Sequence, residues 1–188
     1  PFLRSTNIPS VVSFYGYDCS GFPQRYLGYG KRYLKKRVFP YVDRVLAMSP
    51  DMKKDLIAIG CPESKVTVHY YGTDVQKFNI HRLYDPNRSP LRFLLIAGLE
   101  PQKGPMFLLK AFKQAHDINS NIRLDIVGDG RLRDAILEFI QGNDMGQYVD
   151  YHGPTTYASD QHIGFLRNAD VFIHPSVIDT NDDKYGIP

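Results

Sequence analysis

A lysine and a glycine follow an apolar run near the middle of the chain, where residues 91–104 read LRFLLIAGLEPQKG. Residues 93–97 have the length and apolar content of a buried strand, and residues 106–115 carry apolar side chains at helical spacing. Doubly wound folds bind phosphates where a strand, a tight turn and a helix opening meet, because the helix N–H groups are unpaired there and a lysine adds a full charge. Phosphate binding at Lys103 and a plain surface lysine at a helix start are about equally favoured by this stretch alone.

The spacing around this lysine differs from that of nucleotide hydrolases. Gly98 precedes Lys103 by five residues, but the order Lys103-Gly104 is reversed with respect to a P-loop and no Ser or Thr follows. Phosphate binding without a P-loop suggests that the ligand is a nucleotide whose diphosphate acts as a leaving group.

Three further strand ends carry residues that could contact a ligand. Gly128-Asp129-Gly130 follows a predicted strand at 122–127, but the third glycine of a dinucleotide fingerprint is replaced by Arg133. A tight turn would need these glycines without any ligand. Gly153-Pro154 follows a short strand at 148–151. His174 ends a strand at 170–174, either as a ligand contact or as a satisfied buried group.

No residue pattern predicts a metal or another cofactor. The segment 179–186 reads DTNDDKYG, and Lys184 stands where a calcium loop needs its sharp-turn glycine. Paired aspartates could hold a metal on a diphosphate, but a polar loop is favoured. Cys19 and Cys61 have no metal or redox spacing, which indicates a reduced, cytoplasmic protein.

The charge is unevenly distributed along the 188 residues, whose net charge is +3. Residues 1–80 hold 12 Lys/Arg and 6 Asp/Glu, a net +6, whereas residues 81–188 hold 11 Lys/Arg and 14 Asp/Glu, a net −3. A predicted helix at 24–39 contains six basic residues, no acidic residue and several aromatic ones. A solvated amphipathic helix is slightly favoured over a peripheral membrane contact, and nucleic acid is not expected. No apolar run has the length of a membrane span.

Alternating strands and helices predict an α/β fold with parallel sheets. In the first half, strands at 11–15, 43–48 and 65–70 alternate with the 24–39 helix and with a helix that Ser49 caps and Gly60 ends; residues 19–23 are expected to be loop. In the second half, strands alternate with helices at 106–115, 131–141 and 160–167. The predicted domains are residues 1–80 and 91–188, joined by a linker at 81–90.

Six segments in order along the chain resemble family 4 of the retaining glycosyltransferases. They are PSVVSFYGYD (9–18), the run from Val42 to Phe78, LLIAGLEPQKG (94–104), LDIVGDGRLRDAI (124–136), YVDYHGP (148–154) and ADVFIHPSVIDTNDDKYGIP (169–188). The resemblance implies a GT-B fold of two Rossmann-like halves, both incomplete in this chain. It is strongest to the bacterial enzymes of exopolysaccharide and lipopolysaccharide biosynthesis.

Such a resemblance implies transfer of a sugar, with retention, from a UDP- or GDP-sugar to a glycan or lipid-linked acceptor in surface polysaccharide biosynthesis, with no metal or cofactor. The implied catalytic residues are Lys103, which would neutralise the leaving diphosphate, and Tyr15 and Asp18, which would face the sugar. Gly16 and Tyr17 would lie on the acceptor side. The resemblance places the donor-binding residues at Gly98, Lys103, Gly104, Gly128, Asp129, Gly130, Gly153, Pro154, His174, Tyr185 and Gly186. The implied location is the cytoplasm, peripheral to the inner face of the membrane.

Three positions depart from the family pattern. Gly98 stands where many relatives carry Arg, Tyr15 where many carry His, and Tyr185 where a Glu pattern normally starts. Two alternatives follow: a GT-B-type sugar-nucleotide 2-epimerase, for which no pair of acid/base carboxylates is evident, and a sugar-nucleotide-binding scaffold without catalysis. The 188 residues alone are expected to be inactive.

Overall fold

The computed structural model describes residues 8–79, 85 and 87–177. These residues form two compact units, of which the first comprises the described residues up to Thr73 and the second comprises Asp74–Val177. The division lies before the predicted linker at 81–90, part of which is outside the described residues. The predicted domain bounds therefore stay a prediction.

The first unit is a parallel three-stranded sheet with its helices. Strand β1 (Val11–Phe14), helix α1 (Gly21–Tyr33), strand β2 (Arg44–Ala47), helix α2 (Pro50–Ala58) and strand β3 (Val66–Val68) follow in order, and the sheet order is β1-β2-β3. A π-helical turn, Leu34–Val38, extends α1. The Ser49 hydroxyl accepts a hydrogen bond from Met52 N–H, so its predicted role as the α2 cap is confirmed.

The second unit is a parallel four-stranded sheet with helices on both faces. Its elements are β4 (Leu91–Ile96), α3 (Pro105–Ile118), β5 (Ile122–Val127), α4 (Arg133–Gly142), β6 (Val149–Tyr151), α5 (Asp160–Asn168) and β7 (Val171–Phe172). Leu95, Leu124 and Ile126 are fully buried under α3 and α4. Leu94 and Val127 point to the other face, where residues of α5 cover them. The apolar run at 93–96 thus has no polar face because both faces of the strand are covered.

The order of the second sheet, β6-β5-β4-β7, contains one reversal. From β4 the chain moves to β5 and then β6, and it returns through α5 to place β7 on the opposite side of β4. The crevice at the carboxyl ends of β4 and β7 is therefore the topological switch point, where open α/β sheets bind their ligands.

The observed elements differ from the predicted ones mainly at their ends. Helix α1 begins at Gly21, so the prediction of loop at 19–23 was wrong for its last three residues. Pro23 lies in the first turn of this helix, where its missing N–H has no helical partner to lose. Strand β7 has two residues where five were predicted at 170–174.

Candidate functional site

Lys103 lies on a short turn that connects β4 to α3. A single 3₁₀ turn, Pro101–Lys103, follows the strand, and Gly104 then adopts the left-handed conformation, with φ 65°. Lys103 N–H donates to Glu100 O (2.9 Å) and Gly104 N–H donates to Pro101 O (3.0 Å). The N-cap residue of α3 is Gly104, which has no side chain to cap the helix, and the first turn has no acidic residue, so the helix's own residues do not offset the positive end of its dipole.

This turn packs against the segment that follows β7. Val177 N–H donates to Gln102 O (2.9 Å), and a Cβ added to Gly104 would overlap the carbonyl oxygen of Pro175. Only glycine can provide both the left-handed conformation and this close approach. The switch point therefore brings the Lys103 turn and the His174 segment together, as adjacent parallel strands require.

Electrostatics connect Lys103 with His174. Burial lowers the pKa of Lys103, and burial followed by the nearby charge of Lys103 lowers the pKa of His174. Both side chains are partly buried. His174 Nδ1 lies 3.1 Å from the hydroxyl of Ser176. The site thus combines a desolvated cation with a histidine whose neutral form is favoured.

A second group of predicted residues surrounds one cleft next to this turn. The cleft has a volume of about 250 Å³, and its lining includes Gly98, Gly128, Asp129 and Pro154. These residues follow β4, β5 and β6, whose carboxyl ends meet at this edge of the sheet. A nucleotide-sized ligand could use the cleft and the Lys103 turn together.

Gly128 and Gly130 are required by the packing of two adjacent strand ends. A Cβ at Gly128, where φ is 143°, would overlap the carbonyl oxygen of Ala97, and one at Gly130 would lie 2.7 Å from the carbonyl oxygen of Leu99. Gly128 N–H donates to Gly153 O at 2.8 Å, which joins the next strand end to the same edge. Tight packing therefore accounts for these glycines, and their predicted role in donor binding stays a prediction.

Aromatic residues that sequence reasoning missed form one wall of the cleft. Tyr157 and His162 line it, with Tyr157 66% exposed and His162 buried. Phe78 contacts both of their rings, with centroid distances of 5.3 Å to Tyr157 and 6.1 Å to His162. The buried Nδ1 of His162 has no hydrogen-bond partner among the residues that the structure describes. The sequence predicted the helix at 160–167 but gave no signal that its first turn faces the cleft.

The predicted residues of the first unit lie on the loop after β1. The Asp18 carboxylate accepts hydrogen bonds from Tyr15 N–H (3.1 and 3.2 Å) and Gly16 N–H (2.9 Å), so it holds the turn in place. Tyr15 and Tyr17 are exposed, and Tyr15 makes an edge contact with Tyr71, with ring centroids 6.1 Å apart. Asp18 is thus a residue that positions this loop, while its predicted catalytic role stays a prediction.

Two residues that were predicted to bind the donor, Tyr185 and Gly186, lie outside the described residues. Among the residues that the structure describes, no group of three or more His, Cys, Asp or Glu side chains could hold a metal ion. No helix within the described ranges is long and apolar enough to cross a membrane.

Comparison with known families identifies the chain. Residues 90–187 match the family model described as glycosyl transferases group 1, and residues 2–77 match the model described as glycosyltransferase family 4. The chain belongs to the group 1 glycosyl transferases. The family predicted from the six sequence segments is therefore confirmed.

The chain is also similar in sequence to individual glycosyltransferases. The chain is 29% identical, over 179 residues, to the amylovoran biosynthesis glycosyltransferase AmsK of Erwinia amylovora. This match covers 95% of the chain but only 42% of AmsK, so the chain spans less than half the length of this relative.

Solved structures confirm the predicted fold. HepE of Anabaena, in complex with UDP and glucose, superposes with a TM-score of 0.70 at 17% identity, covering 89% of this chain and 46% of HepE. A glycosyltransferase from Rickettsia africae superposes with a TM-score of 0.67 at 17% identity, covering 92% of this chain and 46% of that protein. The α/β class and the GT-B fold with parallel sheets are confirmed by these similarities.

Proposed function

We propose that the protein carrying this chain is a retaining glycosyltransferase. It moves a sugar from a UDP- or GDP-linked donor to a glycan or lipid-linked acceptor in surface polysaccharide biosynthesis. One observation carries the proposal: the carboxyl edge of the second sheet carries both a desolvated lysine at the N-terminus of α3 and a cleft where β4, β5 and β6 end. These are the features that bind a nucleotide diphosphate.

In this proposal the diphosphate and the nucleoside of the donor bind at two different parts of the site. The diphosphate lies at the Lys103 turn, where the ammonium group and the α3 dipole stabilise the negative charge that grows on the leaving group. The nucleoside occupies the cleft lined by Gly98, Gly128, Asp129 and Pro154. The exposed ring of Tyr157 offers a surface on which a base can stack.

The relatives support the donor and the pathway class. HepE is described in complex with UDP and with UDP-glucose. AmsK is named for amylovoran biosynthesis, which supports an exopolysaccharide product. The acceptor side is assigned to the first unit, with Tyr15, Gly16, Tyr17 and Asp18 on the loop after β1.

The surface of α1 and its π-helical extension supports peripheral attachment to a membrane that presents a lipid-linked acceptor. Exposed cations and exposed apolar side chains alternate over 25–37, and the sequence of this stretch has no acidic residue. Leu27, Tyr29 and Tyr33 are among the exposed apolar residues, with Tyr29 60% exposed. Each basic residue close to an anionic bilayer contributes about 1 kcal/mol of attraction. Sedimentation with vesicles that contain anionic phospholipid, but not with neutral vesicles, is the expected result.

The transfer itself can be tested on the full-length protein. Incubation with a panel of UDP- and GDP-sugars and an isolated lipid-linked acceptor fraction should transfer one sugar, and the anomeric configuration of the product, read by NMR, should match that of the donor. An inverted product would refute the retaining mechanism. Donor binding without turnover on any acceptor would favour the scaffold, and a changed sugar on the free nucleotide would favour the epimerase.

A further inference from the structure

The switch point contains two titratable groups, of which Lys103 acts electrostatically on His174. Burial and the charge of Lys103 both disfavour the imidazolium form of His174. The contacts between 102–104 and 175–177 hold these groups near each other, because Val177 N–H donates to Gln102 O and Pro175 packs on Gly104. A ligand that binds between them must act on both.

A nucleotide-diphosphate sugar brings two negative charges to this place, one on each phosphate. Lys103 supplies one full positive charge, and the N-terminus of α3 supplies about half of one. The acidic residue of the same turn, Glu100, pairs with Arg131, with Arg131 Nε and Glu100 Oε2 2.5 Å apart. The charge of the bound diphosphate is therefore larger than the charge that Lys103 and the helix provide.

We propose that binding of the donor diphosphate draws one proton from solvent onto His174, which makes its imidazolium the second cation beside Lys103. The inference rests on the proposed function and identifies the second cation of the diphosphate site. The ligand opposes both causes that keep His174 neutral, because its negative charge offsets that of Lys103 and, as an anionic partner, compensates for the burial of the ring. The proton is taken up without any covalent step.

The surroundings of His174 are compatible with both of its protonation states. The Ser176 hydroxyl, 3.1 Å from Nδ1, can donate to the neutral ring and accept from the protonated one. Lys103 is the charged residue that acts on His174 from the facing turn. Glu100 on that turn is engaged by Arg131, and in this proposal the ligand supplies the negative charge that stabilises the imidazolium.

Calorimetry of the full-length protein with UDP-glucose tests the inference, with GDP-mannose as the replacement probe if UDP-glucose does not bind. These donors lack the second phosphate ionisation near about pH 6, so any exchanged proton belongs to the protein. Titrations at one pH in buffers of different ionisation enthalpy give the number of protons taken up. We expect an uptake that approaches one proton between the pKa of His174 in the free protein and its pKa in the complex.

Variants assign the proton to a residue. In His174→Gln the uptake should disappear and the donor affinity should become independent of pH, whereas the wild-type affinity falls by up to about tenfold per pH unit as the pH rises. His116→Gln is the matched control, because His116 lies in the last turn of α3, at the helix end remote from Lys103. This variant should keep the wild-type uptake.

The outcomes separate this inference from the proposed function. Donor binding with no proton uptake, or with an uptake that persists in His174→Gln, overturns the inference and leaves the glycosyltransferase proposal standing. Absence of binding by either donor overturns both. An NMR titration gives a second readout: the pKa of His174 should rise when the donor is added and should also rise in donor-free Lys103→Gln.

Discussion

Replacing Gly104 by alanine tests whether the Lys103 turn is built on its contact with the segment after β7. Gly104 has φ 65°, a conformation that costs a residue with a Cβ about 1–2 kcal/mol. The added methyl group would also overlap the main-chain carbonyl of Pro175, and relief of such overpacking costs about 1–3 kcal/mol. The two costs together predict a loss of about 2–5 kcal/mol in the free energy of unfolding.

Thermal unfolding followed by circular dichroism measures this loss. A domain of this size loses about 4–8 °C in Tm per kcal/mol, so Gly104→Ala should lower the transition of the second unit by at least about 8 °C. Gly164→Ala is the matched control, because Gly164 lies inside α5 with open space around the position of a Cβ. This change should stabilise the protein by about 0.5–1 kcal/mol.

A Tm for Gly104→Ala within about 2 °C of the wild-type value would refute the reasoning, since a change of that size corresponds to less than about 1 kcal/mol. It would mean that the turn and the segment after β7 are not in contact. The grouping of Lys103 with His174 would then lose its structural basis.

Three further predictions concern single side chains. His162→Phe should raise the free energy of unfolding by about 1 kcal/mol, because it removes a buried nitrogen without a hydrogen-bond partner and keeps the ring contacts; a lower Tm would contradict this. Asp18→Ala should destabilise the first unit by about 1–2 kcal/mol, because it removes the hydrogen bonds from Tyr15 and Gly16 N–H. Asp18→Asn should destabilise it by less, and equal Tm values for the two variants would contradict a role of these bonds in holding the turn. Hydrogen bonds from Ser10 N–H and Oγ lower the pKa of Asp43, so its stabilising effect should be present above pH 3.8 and disappear as the pH falls through the lowered value. Ser10→Ala keeps the N–H bond and removes the Oγ bond, so an NMR titration in which it fails to raise that pKa would exclude the Oγ contribution.

The sheets were predictable because their strands depend on local pattern. The run at 91–96 has no polar alternation, which predicts a strand with both faces covered, and the structure covers it from both sides. The Ser49-Pro50 signal marked the start of α2 within one residue for a similarly local reason. The start of α1 at Gly21 was not predicted, because glycine and proline are common in loops and proline is also tolerated in the first turn of a helix.

The arrangement of the site was only partly predictable. Parallel topology implies that residues after β4, β5, β6 and β7 share one edge, which groups Lys103 with His174. The placement of Tyr157 on the cleft depends on where the chain before α5 packs, and the contact of Phe78 with its ring depends on the path of residues well before β4. The catalytic role predicted for Asp18 stays a prediction, and no sequence pattern indicated that its carboxylate also accepts hydrogen bonds from main-chain N–H groups.

The most direct test of the central claim is donor affinity with and without the ammonium group of Lys103. UDP- and GDP-sugars are titrated by calorimetry into the full-length wild-type protein, Lys103→Ala and Lys110→Ala, the last being a matched control on the exposed side of α3. The account predicts that one donor binds to the wild type and to Lys110→Ala with equal affinity and at least about tenfold more weakly to Lys103→Ala, a loss of about 1.4 kcal/mol or more. Equal affinity for all three proteins, or no binding of any donor, would contradict the placement of a nucleotide diphosphate at the Lys103 turn.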